Sequence, residues 1–222
     1  MDRLNSKKMR ASVSEYSKKS NFKAACIFTS DIFIYMAALY GVIFLENILL
    51  RLLCGALVGF KMASLFVIAH DAAHHSFVDS KLLNKIIGRI SFMTSYHNYS
   101  LWLIVHNHLH HQHTNMKGEN SWSPLSKQEY DNFPFWRKAL ERLYRSPAGI
   151  SINYLIERWI KNKFYPNANV VKKHKPIYWL DFSLVVSYML GLITVLVYFG
   201  YTLSSTSALE TLLIGFFLPL FV

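Results

Sequence analysis

Residues 24–70 read AACIFTSDIFIYMAALYGVIFLENILLRLLCGALVGFKMASLFVIAH, and this stretch decides the fold. It is long enough for two crossings of a bilayer, each needing about 20 apolar residues. The turn between them is expected near residues 40–47, where Gly41 and Glu46 interrupt the run. Arg51 and Lys61 complicate the second crossing. Arg51 is expected to snorkel to the outer interface and Lys61 to the inner one. Residues 62–75 would then be the protruding end of that helix, carrying the first histidines into the cytosol close to the membrane.

The rest of the chain repeats the pattern. Of 222 residues, 52% are hydrophobic and only 17% charged, against about 25% charged in a soluble domain. Residues 24–50, 52–70, 177–200 and 207–222 are almost uncharged, and the segments between them hold most of the Lys and Arg. A third crossing is expected over 177–201, with Asp181 near its start, and a fourth apolar run begins at Leu209. The chain divides accordingly into a basic cytosolic N-terminus (1–23), a first transmembrane hairpin (24–70), a cytosolic or interfacial histidine-rich region (71–176) and a second hairpin (177–222). The expected class is an all-α, multi-pass membrane protein with about four transmembrane helices and a helical cap. The N-terminus and the stretch 76–176 are both basic, which places them together on the cytoplasmic side and the tips near 41–47 and 202–208 outside.

The net charge of +11 does not point to nucleic acid. The basic residues flank apolar spans and mix with Tyr, Trp and Phe, as suits an anionic membrane surface. Cys26 and Cys54 lie in apolar segments and read as small buried hydrophobes rather than a disulfide or zinc framework. The polar first 23 residues carry no short apolar stretch with a cleavage site, so no removable signal peptide is read.

Within the cytoplasmic stretch, 82–105 is apolar and aromatic but interrupted by Lys85, Arg89, Ser95, His97 and Asn98, and reads as a surface-lying or re-entrant helical piece. Farther on, Phe135, Trp136, Ala139, Leu140, Leu143 and Tyr144 recur at helical spacing opposite Arg137, Lys138, Arg142 and Arg145. That basic amphipathic helix suits either an anionic lipid surface or packing on a cytosolic cap.

Nine of the ten histidines fall between residues 70 and 113. The first cluster is His70-Asp71-Ala72-Ala73-His74-His75. On a helix, His70 and His74 share one face, so two imidazoles can reach one metal ion. His75 is rotated by roughly 100° and would serve a second metal or an outer shell. The second cluster is His106-Asn107-His108-Leu109-His110-His111-Gln112-His113-Thr114-Asn115. His106 and His110 repeat the four-residue spacing, His111 repeats the adjacent pair, and His113 returns nearly to the face of His106. Imidazole suits iron, copper, zinc and nickel alike. A titrating pH sensor is the plainer reading, but it does not account for one pattern occurring twice. Asp71 reads either as a carboxylate orienting the His70 ring or as a surface charge. Asn107, Thr114 and Asn115 are candidates to hydrogen-bond ligand rings or backbone. His97 is a satisfied polar residue or an outer partner, and His174 belongs to a solvated basic run.

At these residues the sequence resembles the membrane fatty acid desaturases. Their first box, His-Asp-x-x-His, is matched by His70, Asp71 and His74. Their second, His-Asn-x-x-His-His-x-x-Thr-Asn in one bacterial branch, is matched by His106, Asn107, His110, His111, Thr114 and Asn115. The likeness extends through Lys117-Gly118, Trp122-Ser123-Pro124, Glu129-Tyr130-Asp131 and residues 140–145, and covers about 60–165 in all. The resemblance implies a di-iron centre that uses O₂ to place a double bond in an acyl chain. Its ligands would be His70, His74, His75, His106, His110 and His111, with His113 as a further candidate. It also implies a lipid or acyl-thioester substrate and a separate electron donor, ferredoxin-like or cytochrome b5-like. The family carries a third box, His-x-x-His-His, and this chain has no histidine beyond His174; the expectation is that it is the N-terminal part of a longer protein. The same boxes also fit a membrane hydroxylase or ketolase, or a metal-binding remnant. A metal transporter fits less well, because its ligands would lie within crossing helices.

Overall fold

A computed structural model describes residues 12, 14, 18–110, 125–147, 149–165, 171, 175–203 and 207–222. All regular structure among them is helical. Helix α1 (Asn21–Phe44) and helix α2 (Ile48–Ala73) form the first hairpin. Ser20 and Asn47 start them by accepting backbone N–H groups of the first turn, which would otherwise lack partners. The turn at 45–47 falls within the expected tip. Three short helices follow: α3 (Lys81–Thr94), α4 (Tyr99–Trp102, continued as a π-helix over Leu103–His110) and α5 (Lys127–Asp131). Then come α6 (Phe135–Tyr144) and α7 (Gly149–Asn153, continued as a π-helix over Tyr154–Phe164). Helix α8 (Pro176–Thr202) is the third long span. Helix α9 (Ala208–Leu212) runs on through π and 3₁₀ turns to Phe221.

Helices α1, α2 and α8 are each long and apolar enough to cross a membrane, and the α9 run is shorter. Only 17% of the most apolar window of α8 is buried, so its apolar surface faces outward, as in a lipid-facing helix. The hairpins meet through Val42, Val58, Leu65, Leu196 and Ile214, and through a hydrogen bond between the hydroxyls of Tyr35 and Tyr188.

Four expectations need correction. Arg51 does not snorkel outward: it is 1% exposed. Its Nε donates to the Val42 carbonyl at 2.8 Å, Nη2 donates to Thr211 Oγ1 at 2.8 Å, and Nη1 pairs with Glu210. Partners on both hairpins satisfy the guanidinium where it stands, so it has no need of the interface. Lys61 likewise pairs inward, with Asp31 at 2.5 Å, and Ser64 donates to the same carboxylate. Cys26 is exposed, on the outward face of α1. The stretch 82–105 is also not one piece. It breaks at 95–98, where Tyr96 takes a left-handed φ of 59° and Asn98 caps α4 by accepting from the Leu101 N–H.

The break is held from α8. Asn98 Nδ2 donates to the Tyr178 carbonyl at 2.9 Å. Asp181 accepts from Arg89 Nε at 2.8 Å and from the Ser100 N–H at 3.0 Å. The start of α8, the end of α2 and the start of α1 therefore gather at one end of the bundle, with α3 and α4 between them.

Candidate metal centre

The last turn of α2 carries His70, and His74 follows as its C-terminal cap. Their ring centroids are 4.7 Å apart, as the four-residue spacing requires. The chain then turns back sharply. His75 adopts a φ of 55°, and the Asp71 carbonyl accepts from both the N–H and the Oγ of Ser76. From just before α1, Lys19 Nζ donates to the His75 carbonyl at 2.6 Å, setting a cation at the negative end of α2.

His106 comes from the π-helical continuation of α4, a widened geometry that recurs at functional sites. Asn107 ties that segment to α2, its Nδ2 donating to the Ala73 carbonyl at 3.3 Å. The His106 ring then lies 5.0 Å from that of His70 and 5.5 Å from that of His74. One ring nitrogen from each of the three lies within 4.8 Å of the others. An ion bound at about 2.1 Å spans at most about 4.2 Å between two ligands, so small ring rotations suffice to close on it. Three half-buried imidazoles with no carboxylate among them are a donor set that iron accepts.

The His70 ring is held by Asp71, whose Oδ1 stands 3.0 Å from Nδ1. Trp102 lies flat on His106, with centroids 4.0 Å apart and planes 22° apart. His75 stands outside the trio, and its Nδ1 is buried without a hydrogen-bond partner. The side chain of His110 and all of His111 and His113 lie outside the described residues, as do Thr114, Asn115 and His174.

His97 is not in the cluster. Its Nδ1 faces the Ser95 carbonyl at 2.5 Å and its Nε2 the Tyr154 hydroxyl at 2.7 Å. A carbonyl only accepts, so Nδ1 carries the proton and Nε2 accepts from Tyr154. Burial first, and then the charge of Lys163, push its pKa down to about 3, and it stays neutral. Trp102 escaped the sequence reading, although it precedes His106 by four residues and so shares its face.

A cavity of about 720 Å³ opens beside this end of the bundle. Gly59, Met62, Ala63, Phe66 and Val67 form its α2 wall, and Tyr96, Trp159 and Phe216 lie among its other lining. Those α2 positions recur at helical spacing and lead, one turn later, to His70.

The sequence model of the fatty acid desaturase family matches residues 46–222. Over 89 residues the chain is 35% identical to the sn-1 oleoyl-lipid 12-desaturase of Picosynechococcus sp., a match covering 40% of this chain and 26% of that one. Over 113 residues it is 39% identical to the chloroplastic omega-6 fatty acid desaturase of Spinacia oleracea, covering 50% and 24% respectively. Over 164 residues it is 29% identical to the endoplasmic reticulum omega-3 fatty acid desaturase of Nicotiana tabacum, covering 72% and 43%. The chain thus spans less than half the length of each of these relatives.

Proposed function

The chain belongs to the fatty acid desaturase family, and from that membership we propose that it serves O₂-dependent desaturation of an acyl chain. The observation that carries this reading is the convergence of His70, His74 and His106 from two separate boxes at the end of a membrane span. These three would hold iron, with His75, His110 and His111 as further ligands of a two-iron set to which the family's third box also contributes. The buried, unpartnered Nδ1 of His75 supports its part, since a buried imidazole nitrogen needs an acceptor, a donor or a metal. Bound there, iron supplies the oxidising power of O₂ needed to take hydrogen from an unactivated methylene.

The chain's own residues do the remaining work. Asp71 holds the His70 ring through Nδ1, which leaves its second nitrogen for a metal. The apolar cavity is suited to a hydrocarbon chain and excludes water from it, with the α2 wall leading toward His70. Neutral His97, bonded to Tyr154, leaves no charge on the cavity wall to repel that chain. The positive-inside pattern supports a cytoplasmic position for the histidines, where a separate electron donor of the ferredoxin or cytochrome b5 kind would reach them. The acyl group would arrive as a membrane lipid or a thioester.

The test is metal analysis and product analysis together. The purified chain is expected to bind iron and to lose it in the H70A and H106A variants, and cells expressing the gene are expected to gain cis-unsaturated acyl chains only with O₂ and reductant. An oxygenated product would replace the desaturase reading with a hydroxylase. Absence of iron under every loading condition would remove the metal centre.

A further inference from the structure

Three imidazoles on two helices do not stay aimed at one point without support, because each ring turns about two side-chain torsions. Trp102 is placed to stop them. Only 2% of it is exposed. Its indole lies flat on His106 at 4.0 Å and meets His70 and His74 at 5.4 and 6.3 Å, nearly perpendicular to both. Behind it, Phe92 at 4.9 Å and Phe66 at 6.2 Å pack against the indole.

We propose that Trp102 is a positioning residue of the metal centre, a rigid wall that fixes the ring planes of the three histidines before any ion arrives. The proposal rests on the metal reading given above. It follows from contact geometry: flat stacking fixes the plane of His106, while the perpendicular contacts limit the swing of His70 and His74. Pre-set rings lose less freedom on binding, so the wall shows itself in affinity and not only in turnover.

The test uses Co²⁺ alone, titrated into the full chain in micelles and followed by visible absorption and by tryptophan emission. Losing such outer support is expected to weaken Co²⁺ binding about tenfold in W102L. W102F keeps a flat ring and is expected to stay within about twofold of the parent, while losing the emission that bound Co²⁺ quenches. L196A is the control: it opens the core between the hairpins, away from the histidines, and must leave the affinity unchanged. The proposal is overturned if W102L binds as tightly as the parent, if L196A weakens binding equally, or if W102F fails as badly as W102L. If the unmodified chain binds no Co²⁺, the metal reading itself fails and this inference falls with it. If only the parent and variants agree with one another, the metal reading stands and Trp102 is mere packing.

Discussion

Asp181 of α8 accepts from Arg89 of α3 at 2.8 Å, across a gap of 92 residues in sequence. Its other oxygen accepts from the Ser100 N–H at 3.0 Å and from the Ser100 hydroxyl. One carboxylate, 2% exposed, thus joins a membrane span to both helices flanking the 95–98 break, and the second of these leads to His106. Replacing it by alanine strands a part-buried guanidinium and an unpaired helix N-terminus. D181A is expected to cost about 3 kcal/mol, measured by detergent-induced unfolding. R89A should cost at least as much, because it leaves the more buried charge of the pair, the 2% exposed Asp181 carboxylate, with only the neutral Ser100 N–H and hydroxyl as partners.

The bond between Arg51 and Glu210 is asymmetric. The Arg51 side chain is 1% exposed, whereas that of Glu210 is 41% exposed. Removing Arg51 leaves Glu210 free to turn to water, while removing Glu210 leaves a cation fixed between the hairpins. E210A is therefore expected to destabilise more than R51M, by an amount approaching the about 3–5 kcal/mol typical of a stranded buried charge. Unfolding of both variants and of the double mutant checks this. Equal losses in the two single variants would show that burial does not decide the outcome.

The spans, the turn at 45–47 and the meeting of His70 with His74 are legible in the sequence because each depends on local period and apolarity. The partners of Arg51, Lys61 and Asp181 are not, since a charge in an apolar run can turn to the interface or pair inward, and only the neighbouring helix decides which. His106 is legible as a candidate ligand, but its meeting with the first box depends on the break at Tyr96 and on the Asn107 bond to Ala73. The Gly55-Ala56-Leu57-Val58-Gly59 spacing in α2 is a readable sign of close helix approach that the hydropathy pattern hides.

Those two glycines give a packing test. A Cβ built on Gly55 would lie 2.6 Å from the Ile214 carbonyl oxygen, and one on Gly59 would lie 2.8 Å from that of Pro219. Both obstacles are backbone, so a side chain can enter only if α9 moves away from α2. G55V and G59V are each expected to destabilise the chain by about 1–3 kcal/mol through overpacking. G191A, where nothing lies within 4 Å of the added atom, should be neutral or slightly stabilising. Thermal unfolding of the three variants in one detergent makes the comparison.

His97 carries a pH dependence whose sign follows from its surroundings. Burial, aided by the positive charge of Lys163, lowers its pKa from 6.5 to about 3, while the Ser95 carbonyl works weakly the other way. The unfolded chain takes up a proton at this residue below about pH 6.5, whereas the folded chain resists doing so until about pH 3. Unfolding therefore gains a proton across that window, and acid favours it. The stability contributed by neutral His97 is complete above pH 6.5 and is lost as the pH falls toward 3, with a limiting slope of about 1.4 kcal/mol per unit. Replacing it with glutamine keeps a donor and an acceptor but removes the titration. The difference in stability between the parent and H97Q is expected to vary with that slope between pH 6 and 4, and to be flat from pH 7 to 9. A difference that does not change with pH in the acid range would mean that His97 is not held neutral by its burial beside Tyr154.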